Sequence, residues 1–436
     1  MSALSLSRTG ARRRTRAQPV EYSLLLTATL CLLAFGAVMV FSASSTTSLL
    51  GTTGDSAYYL KRTLAFGAIG LLVMRALAGR GRTAVRSLTP LLLLCSIAGL
   101  LVVLLPGIGV TVNGAQRWLG VGPLQVQPSE IAKLALILYG AHLLADRPRT
   151  VTSVRAMAPY LLVVAFACAL LVAEPDLGTA IVACVAATAM LVTAGARLRS
   201  LALLAVAIGG VTLLMVLIEP YRMARLTGFL HPTSDPSSVG YQAIQAKIAL
   251  GSGGIFGVGL GQSLQKAYFL PEAHTDMIAA VIGEELGLVG IMALVGLYGL
   301  FGYAGLRTAQ KARDRYGKLL AAGITSLICG QAIVNLFAVL GLAPLTGIPL
   351  PFVSYGNSSL IVTLAAVGLL LGIARQPAAT AAAPARLRVV QGGRPSRRAA
   401  SGRTARSAQG RDSSRRNSRS RSAGAGRGRR ASRPRR

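Results

Sequence analysis

Residues able to do chemistry gather in four short stretches. The first is Leu270-Pro271-Glu272-Ala273-His274-Thr275-Asp276, which runs into an apolar segment containing Gly283-Glu284-Glu285-Leu286-Gly287. Acids, a His and a Thr converge there on the start of a helix. A carboxylate half removed from water at such a place can take a proton as general base. Asp276, Ala280, Gly283 and Gly287 share one helix face, and the small residues beneath Asp276 leave room for a ligand or a neighbouring helix. The plainer reading of Asp276 is a helix cap. His274 on its own suits a hydrogen-bonding role better than metal ligation.

Glu174-Pro175-Asp176-Leu177-Gly178-Thr179 is the second stretch. Pro175 breaks the chain direction, and Asp176 suits the positive end of the next helix, so simple capping accounts for it. The third joins Asn113-Gly114-Ala115-Gln116-Arg117-Trp118 to Pro123 and to Gln127-Pro128-Ser129-Glu130-Ile131-Ala132-Lys133. Asn-Gly makes a turn. Trp118, the single Trp of the chain, suits the headgroup level of a membrane. Glu130 and Lys133 are three apart and can pair on one helix face. That pair is either structural or, lying so close to an apolar run, functional. The fourth stretch, from Gly341 to Pro351, carries three prolines and no charge, then Phe352-Val353-Ser354-Tyr355-Gly356-Asn357-Ser358-Ser359. Its serines and Asn357 can bond to a sugar or, taken singly, glue helices together.

The elements that must position these residues are membrane helices. The chain has 436 residues, with 46 Lys+Arg against 14 Asp+Glu, a formal net charge of +32. Residues 1–20 hold five Arg and 376–436 hold eighteen with one acid, so the tails carry +22 of that total. Between them, 21–375 is charged at about one position in ten, against roughly one in four for a soluble domain. Apolar runs of about 20 residues, the length that crosses a bilayer, fall near 22–43, 58–79, 87–106, 128–145, 156–173, 176–196, 198–218, 276–305, 317–341 and 353–374. Alternate connections carry clusters such as Arg75, Arg80, Arg82 and Arg86, whereas 44–57, 174–176 and 342–352 hold no Lys or Arg. The positive-inside rule then puts both termini in the cytoplasm. The expectation is an all-α polytopic integral membrane protein of ten transmembrane helices, with all four stretches at its outer face. The five cysteines sit inside apolar runs as small buried hydrophobes.

One outer connection, 219–275, is long enough to be functional. Tyr241, Ile244 and Ile248 recur at helical spacing and predict an interfacial helix there. Gly251 to Gly261 then supply six glycines among apolar residues, without a nucleotide-loop signature. They fit turns and close backbone packing against the membrane. The Arg/Ser/Gly-rich tail cannot bury a core and is expected to be disordered. It would meet anionic lipid or an acidic partner rather than nucleic acid.

Taken in order, the four stretches closely resemble the SEDS family (shape, elongation, division and sporulation) over roughly 21–375. The resemblance implies ten membrane helices and a peptidoglycan glycosyltransferase that polymerises lipid II, the undecaprenyl-diphosphate-linked disaccharide-pentapeptide, outside the bacterial cytoplasmic membrane. It also implies partnership with a single-span class B penicillin-binding protein, the crosslinking transpeptidase, and with other division proteins. Val38-Met39-Val40-Phe41-Ser42-Ala43-Ser44-Ser45 and the basic tail look most like the division members at the septum, while Thr346 to Pro351 suits the elongation members equally. Asn357 stands where the family usually has glycine. The family places its essential acid at Asp276. Arg117, Lys133 and Lys266 are then the cations for the leaving diphosphate. Glu130, Asp176 and Glu272 line the cavity, with Trp118, His274, Ser354 and Ser358 as further substrate contacts. Any Mg or Mn would be loosely held by carboxylate and diphosphate oxygens. A lipid-precursor flippase would instead need charged residues through the bilayer centre and paired broken helices. A non-enzymatic division scaffold would act through the tails.

Overall fold

With no water to satisfy backbone groups inside a bilayer, apolar runs of this length fold as helices, and the computed structural model shows them. It describes residues 19–50, 54–112, 115–121, 124–147, 153–231, 239–267 and 269–375. The tail at 376–436, nearly all of 1–20, and Asn113, Gly114, Pro123 and Asp235 lie outside the described residues. Helix α1 spans Val20–Leu50 and α2 spans Tyr58–Ala76, which passes through a π-helical segment, Leu77–Gly81, into α3, Arg82–Val103. Then come α4 (Pro128–Asp146), α5 (Val154–Ala173), α6 (Leu177–Ala194) and α7 (Leu198–Ile218). The outer connection holds α8 (Pro220–Leu230) and α9 (Val239–Gly253). The chain finishes with α10 (Ile278–Lys311), α11 (Arg315–Val339) and α12 (Asn357–Ala374). Nine of the described helices are long and apolar enough to cross a membrane. Helix α4 is 19 residues long but carries Glu130 and Lys133, and it is not among the nine.

Helices α10 and α11 form the centre. Helix α10 packs on α1, α9 and α11, while α11 also packs on α4 and α6. Helix α7 is the opposite case, with Leu203, Val206, Val211 and Leu217 all exposed, as a lipid-facing helix should be.

Two features were not expected from the sequence. A three-stranded antiparallel sheet, β1 (Val110–Val112), β2 (Ala115–Val121) and β3 (Leu124–Val126), sits between α3 and α4. Trp118 pairs with Val110 across it. The second concerns α10, which the sequence presents as one continuous span. It is broken at Gly287, whose φ of 65° and ψ of −160° leave a nine-residue half-helix, 278–286, and a longer segment, 288–311.

The break removes two hydrogen bonds, those from Leu288 and Val289 N–H to the Glu284 and Glu285 carbonyls. The glycine-rich segment restores all four groups. Leu288 N–H donates to Gly254 O at 3.0 Å and Val289 N–H to Ile255 O at 3.1 Å, while Val258 and Gly259 N–H donate to Glu284 O and Glu285 O at 3.0 Å each. Interior backbone must be paired, and only bare glycine lets two backbones come this close. Gly257, at φ 82°, faces the Glu285 carbonyl with no space for a methyl group. The close packing expected of these glycines is therefore against a broken helix rather than against the membrane. Gly257→Ala should cost about 1–3 kcal/mol or more through overpacking. Gly251→Ala, where a Cβ would meet nothing within 4 Å, should leave the thermal midpoint in detergent unchanged.

Candidate functional site

Asp276 stands just ahead of the half-helix 278–286, on a turn whose backbone is tied down from several sides. Asn335 of α11 donates through Nδ2 to Asp276 O and to Ile348 O, 2.8 Å each. Tyr355 N–H donates to His274 O at 2.9 Å. The His274 ring packs against Tyr59 (centroids 4.4 Å apart) and Tyr355 (5.7 Å). Thr275 Oγ1 donates to Glu272 Oε2 at 2.7 Å and lies 3.4 Å from Asp276 Oδ1.

The Asp276 carboxylate is half-buried. Burial, with the Glu272 charge beside it, pushes its pKa up to about 7 against the opposing pull of its backbone hydrogen bond, Arg225 and Thr275. Burial holds His274 below the ordinary histidine range, the Glu272 charge opposing. At neutral pH this gives a carboxylate balanced between acid and base beside an uncharged imidazole, a suitable pairing for proton transfer.

The 344–351 segment is the hub that gathers the other stretches. From α6, Gly178 packs against Ile348 and the Thr346 carbonyl. From α4, Lys133 Nζ bonds Glu130 Oε1 and Gln331 Oε1 at 2.8 Å each, and Gln331 Nε2 donates to Pro349 O at 2.8 Å. Ser354 Oγ accepts the Leu350 N–H at 2.8 Å, and Ser358 Oγ accepts the Gln127 N–H at 3.4 Å. Both hydroxyls therefore bond within the protein.

Arg117 reaches across to the 174–175 turn, where Nε donates to Glu174 O at 3.0 Å and a second nitrogen to Pro175 O. Asp176 caps α6 by accepting Thr179 N–H at 3.2 Å. Trp118 joins this arrangement only through β2.

Lys266 departs from expectation. Placed by sequence at the outer face near the leaving group, it is 3% exposed and gives its Nζ to Glu285 Oε1 at 2.7 Å and to Ser42 Oγ at 3.2 Å. Glu285 lies at the far end of the half-helix, roughly 10 Å along it from the Asp276 end. Glu284 is held in parallel by Ser263 Oγ and by Leu264 N–H, the latter at 3.0 Å. The two acids inside the span thus hold the 263–266 segment, which follows the glycines, in place.

Sequence reasoning passed over Arg225 and Asn335. A Cβ at Gly347 would lie 3.8 Å from Asp276 Oδ2 and 3.9 Å from an Arg225 guanidinium nitrogen. Nothing local in the sequence distinguishes Arg225 from the other loop cations. Asn335, a polar residue in the middle of an apolar span, was the available signal for its own role.

Glu174 is buried, and neither carboxylate oxygen has a hydrogen-bond partner among the described residues. Burial and the adjacent Asp176 charge push it up to about 8, Arg117 opposing. The raised value stabilises the protonated fold below the ordinary value of 4.5, and that contribution is lost as pH rises through about 8. Glu174→Gln should therefore melt above the wild type at pH 9 and lose less stability between pH 6 and 9. A variant that melts lower at every pH would show instead that the carboxylate is held by an attraction.

The chain as a whole is similar to several known proteins. The FtsW/RodA/SpoVE family model, described as a cell cycle protein, matches residues 22–378. Stage V sporulation protein E of Bacillus subtilis is 41% identical over 354 residues, covering 81% of this chain and 96% of its own. A protein of Thioalkalivibrio sulfidiphilus named "Probable peptidoglycan glycosyltransferase FtsW" is 43% identical over 408 residues, covering 90% and 100%. Among solved structures, a chain of a peptidoglycan synthase complex aligns with a TM-score of 0.66 at 31% identity over 80% of this chain and 96% of its own. The rod shape determining protein RodA of Thermus thermophilus aligns at 0.60 and 30% identity, over 80% and 95%.

Proposed function

Because the chain belongs to the FtsW/RodA/SpoVE family and is a multi-pass peptidoglycan glycosyltransferase of the cytoplasmic membrane, we propose that it polymerises lipid II into glycan strands at the outer face, with Asp276 as general base. The observation that carries this reading is the Asp276 carboxylate itself. It is half-buried, raised to about 7, and fixed through its backbone by Asn335. The acceptor sugar hydroxyl attacks the anomeric carbon of the donor, and its proton passes to Asp276. The bond from that carbon to the diphosphate oxygen breaks, and the electron pair leaves with the diphosphate. Attack opposite the leaving group inverts the carbon, turning an alpha-linked diphosphate into a beta-linked glycan.

Helix α4 serves as the tenth span, its Glu130–Lys133 pair neutralised internally, and both termini then face the cytoplasm. The Arg-rich tail is a separate cytoplasmic appendage in this reading. Among the described residues no three His, Cys, Asp or Glu side chains gather in a metal-binding group. Any Mg or Mn would be loosely held by carboxylate and diphosphate oxygens.

Likeness to a chain of a complex that coordinates polymerization and crosslinking supports a class B penicillin-binding protein as partner. FtsW-named relatives at 40–43% identity support a role in septal wall synthesis. The broken α10 and the buried Glu284, Glu285 and Lys266 suit a transporter, but among the described residues the freed backbone groups are closed by residues 254–259 and the three side chains bond within the protein. Purified protein with lipid II and the partner transpeptidase should yield glycan strands, read by length. Lipid movement across vesicles with no polymer would overturn the reading in favour of transport.

A further inference from the structure

A departing diphosphate needs positive charge in front of it, and the three cations that the sequence nominated are committed elsewhere. Arg117 holds two carbonyls, Lys133 is paired with Glu130, and Lys266 is paired with Glu285. Two others are better placed, Arg225 beside the acid and Lys247 in the crevice that Arg225 lines. Arg225 of α8 and the Asp276 carboxylate both come within 4 Å of one point, the Cβ position of Gly347. Its Nη1 donates to Leu345 O at 3.1 Å, which orients the guanidinium. Lys247 of α9 lays its stem over Gly341, with Cε 2.6 Å and Nζ 3.3 Å from the place a Cβ would take. Arg225 and Lys247 line one crevice, with Phe229, Ala338 and Leu345 as apolar walls.

We propose that Arg225 and Lys247 hold the diphosphate of the lipid-linked donor, across the reacting carbon from Asp276; this assignment rests on the glycosyltransferase reading above. Arginine presents a planar fork of donors matched to phosphate oxygens, and lysine adds a point charge. When the bond from carbon to oxygen breaks, the electron pair settles on the diphosphate, and its added negative charge faces both cations as it forms. Donors fixed before the reaction stabilise that charge without reorganising. Inversion requires base and leaving group on opposite sides of one carbon. Asp276 and Arg225 both reach within 4 Å of the Gly347 Cβ position, which puts the base and the anion site at one place in the fold.

The test titrates full-length protein in detergent with farnesyl diphosphate, inorganic pyrophosphate and phosphatidylglycerol. Arg225→Gln and Lys247→Gln should each weaken farnesyl diphosphate by about 10- to 100-fold, the worth of one charge-assisted hydrogen bond. Pyrophosphate should weaken in parallel, phosphatidylglycerol hardly at all, and Asp276→Asn, which removes a neighbouring negative charge, should bind no more weakly than wild type. With lipid II, both variants should lose kcat more than they raise KM, and Arg225→Lys should recover part of the rate. Lys247 is exposed, so its variant folds and keeps the test open should Arg225→Gln fail to. Unchanged farnesyl diphosphate binding in folded variants that still polymerise would overturn this assignment and leave the enzyme reading intact. Equal loss of phosphatidylglycerol would overturn it too, by making the crevice a general anionic-lipid site. Wild type that binds diphosphate through these residues yet makes no polymer would overturn the enzyme reading and leave the anion site standing.

Discussion

Asp276→Asn and Asp276→Ala should lower lipid II polymerisation by roughly two to four powers of ten, the usual contribution of a positioned general base. The pH dependence has a definite sign. The working form is the carboxylate, so the wild-type rate should climb as pH rises through about 7 and then level off. Stability should run the other way. The folded state holds this proton far more tightly than the ordinary value of 3.8, so the stabilising contribution is complete below that value and is lost as pH rises through about 7. At pH 8 the ionised, half-buried Asp276 therefore weighs against the fold, and Asp276→Asn should melt no lower than wild type. Lost polymerisation with an undiminished thermal midpoint would separate chemistry from folding. Wild-type-like polymer from purified Asp276→Ala protein would end the assignment.

Why the acid itself could be found from sequence, while its surroundings could not, follows from what a local pattern records. Leu270 to Asp276 places a proline, two acids, a His and a Thr at the head of an apolar run, and that contrast is visible in one dimension. Helix length is equally local, and it located nine of the ten expected spans, with ends shifted by up to seven residues. The break in α10 is different. Gly287 lies between Leu286 and Leu288 in a run apolar enough to pass for one helix. The hint was Glu284-Glu285 inside a span, together with an uncharged, glycine-rich stretch upstream whose packing partner no local pattern names. Lys266 misled for the same reason. A cation in an outer loop reads as facing solvent, and only the folded chain shows it turned inward to Ser42 and Glu285. The short sheet between α3 and α4 alternates over too few residues to declare itself. Arg225 acquires meaning only through Gly347, more than a hundred positions away.

Breaking the Glu130–Lys133 pair should have the largest effect on stability. Both side chains are almost completely buried, 2.8 Å apart on α4, and Lys133 also reaches Gln331. Two charges removed from water are tolerable only together. Lys133→Met leaves the buried Glu130 side chain without its partner, which costs about 3–5 kcal/mol, and Glu130→Leu strands Lys133 with the same consequence. Either should lower the thermal midpoint by about 5 °C in detergent, at roughly 1 °C per kcal/mol for a chain of this size. The double variant Glu130→Leu/Lys133→Met removes both charges at similar volume and should regain most of that loss. Activity need not return with it. Gln331 loses its Lys133 contact in the double variant, and Gln331 holds the Pro349 carbonyl in the segment that also carries Ile348 and, through Asn335, Asp276. A double variant that melts like wild type but polymerises slowly, with kcat lowered and KM little changed, would show that the pair orients the 344–351 segment. If it both melts and polymerises like wild type, the pair is solely a means of burying α4. A double variant as unstable as either single change would mean that the two charges do not compensate each other, and the pairing itself would be the wrong account of this helix.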